Sequence, residues 1–409
     1  MPDSGKQSTV TTVFLSFSLL GFAALWFSPF VVSVVTALSG LAVLFYLPKS
    51  FPRYNRIILL SSVLLLLILF VDFVFHLGEK TTSAKFLLML GLVFILQGHS
   101  YFFERASRQK LSYYFIVIAA IVACINVIAV AGYLSDKSYF DQMLLQSKSI
   151  PIPNMHHIHF GIINAITILG IVGQLVGDKV DKKMNILLWV FGIICLLSFH
   201  ILSSRTGLLA FYAGSFITLV IYVIQHNAYK ILLFGMLGLT SLAVIGYSLS
   251  SSLKNKVANS MEDINSWGKG DEINHKSMAM RIEAYKMSVA VLIENPLGVG
   301  AAAQDQILQE MYEKKNTLLY KENRVGPHNQ LLEFGVKYGW IGIIGIFVFY
   351  LGWLRLLPNT SAFFWGVVVV FLVSVQFESL FERQASIYFS MTLLPLFYHL
   401  FRNQQLIEQ

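Results

Sequence analysis

The sequence predicts an all-α polytopic membrane protein of about twelve transmembrane helices, with one long loop between helices 9 and 10. Three observations predict it. Hydrophobic residues are 56% of the 409 and charged residues only 13%, and mean hydropathy is +0.66, values suited to lipid as the solvent. The apolar residues gather in stretches of the roughly 17 to 25 residues that cross a bilayer. Pro29, Pro48, Pro52 and Pro358 fall between stretches, where a missing amide donor costs least.

In chain order the stretches are 11–27, 31–47, 56–75, 84–103, 111–134, 157–176, 185–203, 206–225, 229–250, 329–353, 361–381 and 386–401. The first follows a single lysine, Lys6, and runs into Ser28-Pro29-Phe30 with no Ala-x-Ala-like site, so a retained helix is expected rather than a cleaved signal. The fifth and seventh carry Cys124 and Cys195, both expected to be packing residues, since two cysteines in apolar runs supply neither a disulfide framework nor a metal site. The tenth contains Gly335, Gly339, Gly342 and Gly345, which mark close helix packing, and Glu333 and Lys337, four apart and expected to pair. The units expected are helices 1–9 in 1–250, a loop domain in 251–328, and helices 10–12 with a cytoplasmic tail in 329–409.

Lys and Arg in short loops are retained on the cytoplasmic side. With the N-terminus inside, the inner segments carry Lys6, Lys49, Arg53, Arg56, Arg105, Arg108, Lys110, Lys179, Lys182, Lys183, Lys230, Arg355 and Arg402. The short outer loops carry only Lys80, Lys85, Lys137, Lys148, Arg205 and Arg383. Both ends are therefore expected in the cytoplasm. The net charge of +8 is on this reading a topological signal and gives no support to a nucleic-acid partner.

The long connection, 251–328, holds ten Lys/Arg and ten Asp/Glu and reads as an outer-face domain or lid. Ile282, Tyr285, Val289 and Leu292 recur at helical spacing, and Asn295-Pro296 followed by Leu297-Gly298-Val299-Gly300 predicts a helix stop and a turn. A shorter outer loop, 135–156, flanks it.

Unusual polar groups collect on this face. Arg205 lies in Ser203-Ser204-Arg205-Thr206-Gly207, Arg281 on the long loop, and His328 in Pro327-His328-Asn329-Gln330 where that loop meets the tenth stretch. His156, His157 and His159 open the sixth stretch, and Glu378, Glu382 and Arg383 close the eleventh. An arginine presents a planar charged fork suited to phosphate, and two such forks can share a diphosphate. Helix starts near Thr206 and Asn329 add backbone donors.

Each group also has a plainer reading. A single interfacial arginine such as Arg205 fits an orientation anchor snorkelling to headgroups. Arg281 fits a surface charge paired with Glu283 or Glu294, and His328 a residue capping its own turn with Asn329. His156 and His159, three apart, would suit a metal, but no acidic or Cys ligand stands beside them in sequence, so no metal is assigned. Glu378 and Glu382, four apart on one helical face, read as ion-pair partners of the arginines rather than an acid/base pair.

Over about 198–345 the chain resembles the O-antigen ligase family. The resemblance rests on Ser204-Arg205-Thr206-Gly207, on Arg281 followed by Asn295-Pro296-Leu297-Gly298-Val299-Gly300, and on His328-Asn329-Gln330-Leu331-Leu332-Glu333-Phe334-Gly335 with Gly339 and Gly342 beyond. The first five stretches match only in hydropathy and number. The resemblance implies a multi-pass protein of the bacterial inner membrane, with the long loop in the periplasm and the active site facing it. It implies transfer of a preassembled glycan from an undecaprenyl-diphosphate-linked donor to a lipid A-core or other hydroxyl acceptor, without cofactor or metal. Arg205 and Arg281 would then bind the diphosphate, whose charge grows as the glycosidic bond breaks. His328, an imidazole of ordinary pKa about 6.5, would take the acceptor proton. Asn329, Glu378, Glu382, Arg383, His156, His157 and His159 would support the site. Related O-antigen polymerases and protein O-oligosaccharyltransferases look alike at this level. A flippase or transporter is the non-enzymatic alternative, but it predicts charges along a path through the membrane, whereas the basic groups here gather on one face.

Overall fold

The computed structural model describes residues 4–46, 53–145, 149–177 and 181–402. Lys49, Lys148 and Lys179 of the charge pattern, Pro48, Pro52 and the tail beyond Arg402 lie outside the described residues. The helices are α1 Ser4–Ala24, α2 Pro29–Tyr46, α3 Arg53–Phe75, α4 Lys80–Arg105, α5 Arg108–Ser135, α6 Lys137–Leu145, α7 His157–Val176 and α8 Lys182–Leu202. They continue as α9 Arg205–His226, α10 Tyr229–Leu249, α11 Ser251–Lys269, α12 Ser277–Glu294, α13 Gln304–Lys314, α14 Gln330–Leu354, α15 Ala362–Ser374 and α16 Gln384–Phe401. Among the described residues there is no strand, only the isolated bridges Ile152–Met155 and Thr360–Arg402.

Among the described residues, eight helices are long and apolar enough to cross a membrane: α3, α4, α5, α7, α8, α9, α10 and α14. Shorter apolar segments lie at Thr9–Ala24, Pro29–Ala42 and Ala362–Ser374. All twelve predicted stretches fall on helices, but those of the first, second, eleventh and twelfth, on α1, α2, α15 and α16, are not among the eight long and apolar enough to cross a membrane, so twelve spans remain an expectation. The chain leaves α15 at Ser374, and the carbonyls of Val375, Gln376 and Phe377 receive donors from residues 281–330 instead. Glu378 and Glu382 are consequently not on one helical face. Cys195 is buried, as expected of a packing residue, whereas Cys124 is exposed on α5.

Two apolar cores organise the molecule. The larger runs through the bundle, with α7 almost wholly inside it. The smaller joins Ile273, Ala284, Met287, Val291, Leu308 and Tyr312 of the long connection to Val336 of α14. The connection thus contains three helices, α11, α12 and α13, and α12 stops at Asn295 as the Asn-Pro pair predicts. Its buried face overlaps the predicted stripe only in part: Leu292 is inside as expected, together with Ala279, Ala284, Met287, Ser288 and Val291, while Val289 is exposed. Small residues let α12 approach its neighbours closely, a preference that hydrophobic periodicity does not register.

The turn after α12 docks into a break in α14. Gly339 has φ 64° and ψ −155°, and a Cβ there would lie 2.1 Å from the Pro296 carbonyl oxygen. The backbone groups released by the break are recovered across it: Val299 N donates to Val336 O (3.0 Å), Gly300 N to Lys337 O (2.8 Å) and Trp340 N to Pro296 O (3.0 Å). Gly339 is therefore a required left-handed position as well as a packing glycine. Gly345, by contrast, does mark close packing, against Leu65 and Ile68 of α3.

Candidate active site

Arg205 is aimed by the turn between α8 and α9. Ser203 takes the left-handed conformation (φ 51°) that ends α8, Ser204 holds the position before α9 without a side-chain capping bond, and Arg205 is the first helical residue. Gly207 serves packing: α7 and α9 cross at Gly161, and a Cβ on Gly207 would lie 2.8 Å from the Gly161 backbone. The crossing fixes the start of α9, and Arg205 Nη1 donates to Ser260 Oγ of α11 at 2.7 Å. The side chain lines a cavity instead of standing as an isolated anchor.

Arg281 projects from α12 toward the turn after α15. Its Nη1 donates to Phe377 O (3.1 Å) and its Nη2 lies 4.0 Å from Glu378 Oε2. Neither partner of the plainer reading engages it. Glu283 accepts from Trp267 Nε1 (3.0 Å) and Thr317 Oγ1 (3.2 Å), and Glu294 pairs with Lys314 (2.7 Å).

His328 sits at φ 47°, a conformation that costs a non-glycine residue about 1–3 kcal/mol and persists only where neighbours impose it. Asn329 imposes it, because its Oδ1 caps α14 by accepting from Leu331 N (2.9 Å) and Leu332 N (3.0 Å) while its Nδ2 donates to Gln376 O (3.1 Å). Capping thus belongs to Asn329. The His328 imbalance between a fixed backbone and an uncommitted ring leaves Nδ1 3.7 Å from Glu378 Oε2, with the side chain 35% exposed.

Glu378 joins these groups. Besides Arg281 and His328 it meets His159, whose Nε2 is 3.7 Å from Oε1. At these separations the imidazoles approach the carboxylate without closing hydrogen bonds, and Glu378 Oε2 has no hydrogen-bond partner among the described residues. Burial would raise the Glu378 carboxyl, but His159 and His328 outweigh it and hold the group well below the usual carboxylate range. His156, His159 and Glu378 also bring ligand-type atoms within 4.8 Å of one another. The sequence-based objection to a metal, that no acidic group accompanies these histidines, therefore fails in the fold. Burial lowers His156 to about 4, leaving it neutral near neutral pH, and Arg281 beside Glu378 supplies the carboxylate with a positive partner already.

Glu382 does not pair with the arginines. It meets Lys85 and, at 2.7 Å, Lys337, which also holds Glu333 at 2.8 Å. The predicted Glu333–Lys337 pair is present and extends into a buried network that fixes the turn before α16. Arg383 is exposed at the cap of α16.

The cavity, about 890 Å³, is lined by Arg205, Arg281, His328, His156 and His157, so residues 123 positions apart in sequence share one wall. Asn329, His159, Glu378, Glu382 and Arg383 are not among its lining. Leu208, Leu209 and Tyr212 of α9, Ala243 and Tyr247 of α10, and Val257 and Met261 of α11 form an apolar wall. Cationic forks beside an apolar wall suit an anion carried on an apolar tail. Lys256 and Ser260 of α11 also line the cavity and were missed from sequence, where Lys256 is one of ten basic residues of the connection with no motif around it.

Curated proteins provide no match to the chain. Residues 190–347, from α8 into α14, match the family model described as O-antigen ligase, a segment that includes Arg205, Arg281 and His328; the chain carries a domain of the O-antigen ligase family.

Proposed function

We propose that the protein is a glycosyltransferase of the bacterial inner membrane that moves a preassembled glycan from undecaprenyl diphosphate to a hydroxyl of lipid A-core, in a site facing the periplasm. The observation that carries this reading is the sharing of one cavity by Arg205, Arg281 and His328, with Glu378 behind the last two. The two arginines hold the diphosphate. The acceptor oxygen attacks the anomeric carbon as the bond to the phosphate oxygen breaks, and the leaving undecaprenyl diphosphate keeps the bonding electrons. His328 takes the acceptor proton, and the Glu378 carboxylate stabilises the imidazolium that forms. Fixed guanidinium charge beside the phosphates favours the transition state because charge grows there. The apolar wall of α9, α10 and α11 receives the first isoprene units.

A purified system with synthetic lipid-linked glycan and separate acceptors tests this. Single transfer to lipid A-core, undiminished by a chelator, is expected. A ladder of lengthening lipid-linked glycan would make the protein a polymerase, glycopeptide would make it a protein O-oligosaccharyltransferase, and loss of activity on chelation would bring the His156–His159–Glu378 cluster into the mechanism.

A further inference from the structure

Lys256 is a buried cation (2% exposed) on α11. Its Nζ donates to Ser203 O at 2.8 Å and Leu202 O at 3.4 Å, carbonyls at the C-terminus of α8, where positive charge is favoured. Ser203 is the residue whose left-handed turn delivers Arg205. An ammonium has three N–H donors, and the two carbonyls occupy two. One turn further along α11, Ser260 accepts from Arg205 and donates to Lys256 O at 2.7 Å. A single turn of α11 therefore organises both cations, and both line the cavity.

Negative charge is short on this side of the cavity. Among the described residues Lys256 has no carboxylate partner; Asp263, which accepts from Met278 N (2.9 Å), acts on Arg205, and Glu378 is shared by Arg281, His159 and His328. Arg205 from α9 and His157 from α7 are the charged and titratable groups acting on Lys256. Like charges converging on one cavity repel unless an anion joins them.

We propose that Lys256 is a third diphosphate-binding residue of the site, presented by α11 beside Arg205. This rests on the diphosphate reading of the cavity. Burial, and after it Arg205, pushes the Lys256 ammonium down to about 7, so in the free protein at slightly alkaline pH much of it has lost its proton. A diphosphate restores that proton: binding takes one up from solvent, the third N–H meets a phosphate oxygen, and the other two keep the Ser203 turn in place.

Calorimetric titration of the whole protein in detergent with farnesyl diphosphate, at pH 7.5 in buffers of different ionisation enthalpy, reads affinity and proton uptake together. The wild type should bind with proton uptake. Lys256→Met should bind about tenfold or more weakly, the scale of a lost charge-assisted hydrogen bond, and without uptake. Lys256→Arg should bind without uptake, because a guanidinium stays charged, and it decides the matter if the methionine variant does not fold. Wild-type binding with no uptake, uptake unchanged in Lys256→Arg, or wild-type affinity in Lys256→Met would overturn the proposal. A wild type that binds farnesol as well as farnesyl diphosphate would overturn the diphosphate reading itself.

Discussion

The Glu378 carboxylate stands 3.7 Å from the His328 imidazole and is almost wholly buried. A carboxylate at that distance can stabilise the imidazolium that forms when His328 takes the acceptor proton. In Glu378→Gln turnover should therefore fall about tenfold, within the usual range for weakened general-base catalysis, while donor affinity is kept. Undiminished turnover would detach Glu378 from the base.

Replacement of His328 separates binding from chemistry. His328→Ala should still bind the lipid-linked donor through the arginines, while turnover falls about a hundredfold, the scale of a lost general base. Donor affinity lost in parallel with turnover would assign His328 to the diphosphate instead.

Arg281→Lys tests fork geometry against charge. A point charge does not reproduce two parallel contacts, so the variant should insert and express normally yet lose most of its activity in a product assay. Near-normal activity would reduce Arg281 to its contacts with Phe377 and Glu378.

Gly339→Ala should destabilise the protein without touching the cavity. The left-handed backbone alone costs about 1–3 kcal/mol, and the new methyl would meet the Pro296 carbonyl. The melting temperature in detergent should fall by several degrees; an unchanged value would mean that the docked turn can yield.

The proposed orientation predicts a labelling pattern. Cys124 is exposed and must be replaced first. In that background, single cysteines at Lys269 and Lys314, both exposed, should react with an impermeant thiol reagent added outside the inner membrane, and one at Lys182 should not. The reverse pattern would remove the periplasmic assignment.

The helical, membrane-suited character was legible because lipid demands long, nearly uncharged helices, of which eight among the described residues are long and apolar enough to cross, and Arg205, Arg281 and His328 stood out because their local sequences do not read as packing. Glu378 was visible as a polar group, but its role depends on α15 ending at Ser374, which no proline or glycine announces. Four-residue spacing therefore suggested a shared face that does not exist. Lys256 was hidden for a different reason: a buried lysine looks like any other charge of a polar connection until the carbonyls of Leu202 and Ser203 are seen around it.

The docking of residues 296–300 into the Gly339 break bears on how this protein can be dissected. A fragment ending at His328 would keep α11, α12 and α13 but forfeit Val336 from their core and the carbonyls of Val336 and Lys337 that accept from Val299 and Gly300. Expression of the 251–328 connection for ligand screening should accordingly extend through residue 338, with the apolar outer surface of that added half-helix shielded, because Val336 completes its small core and the Val336 and Lys337 carbonyls hold the turn after α12.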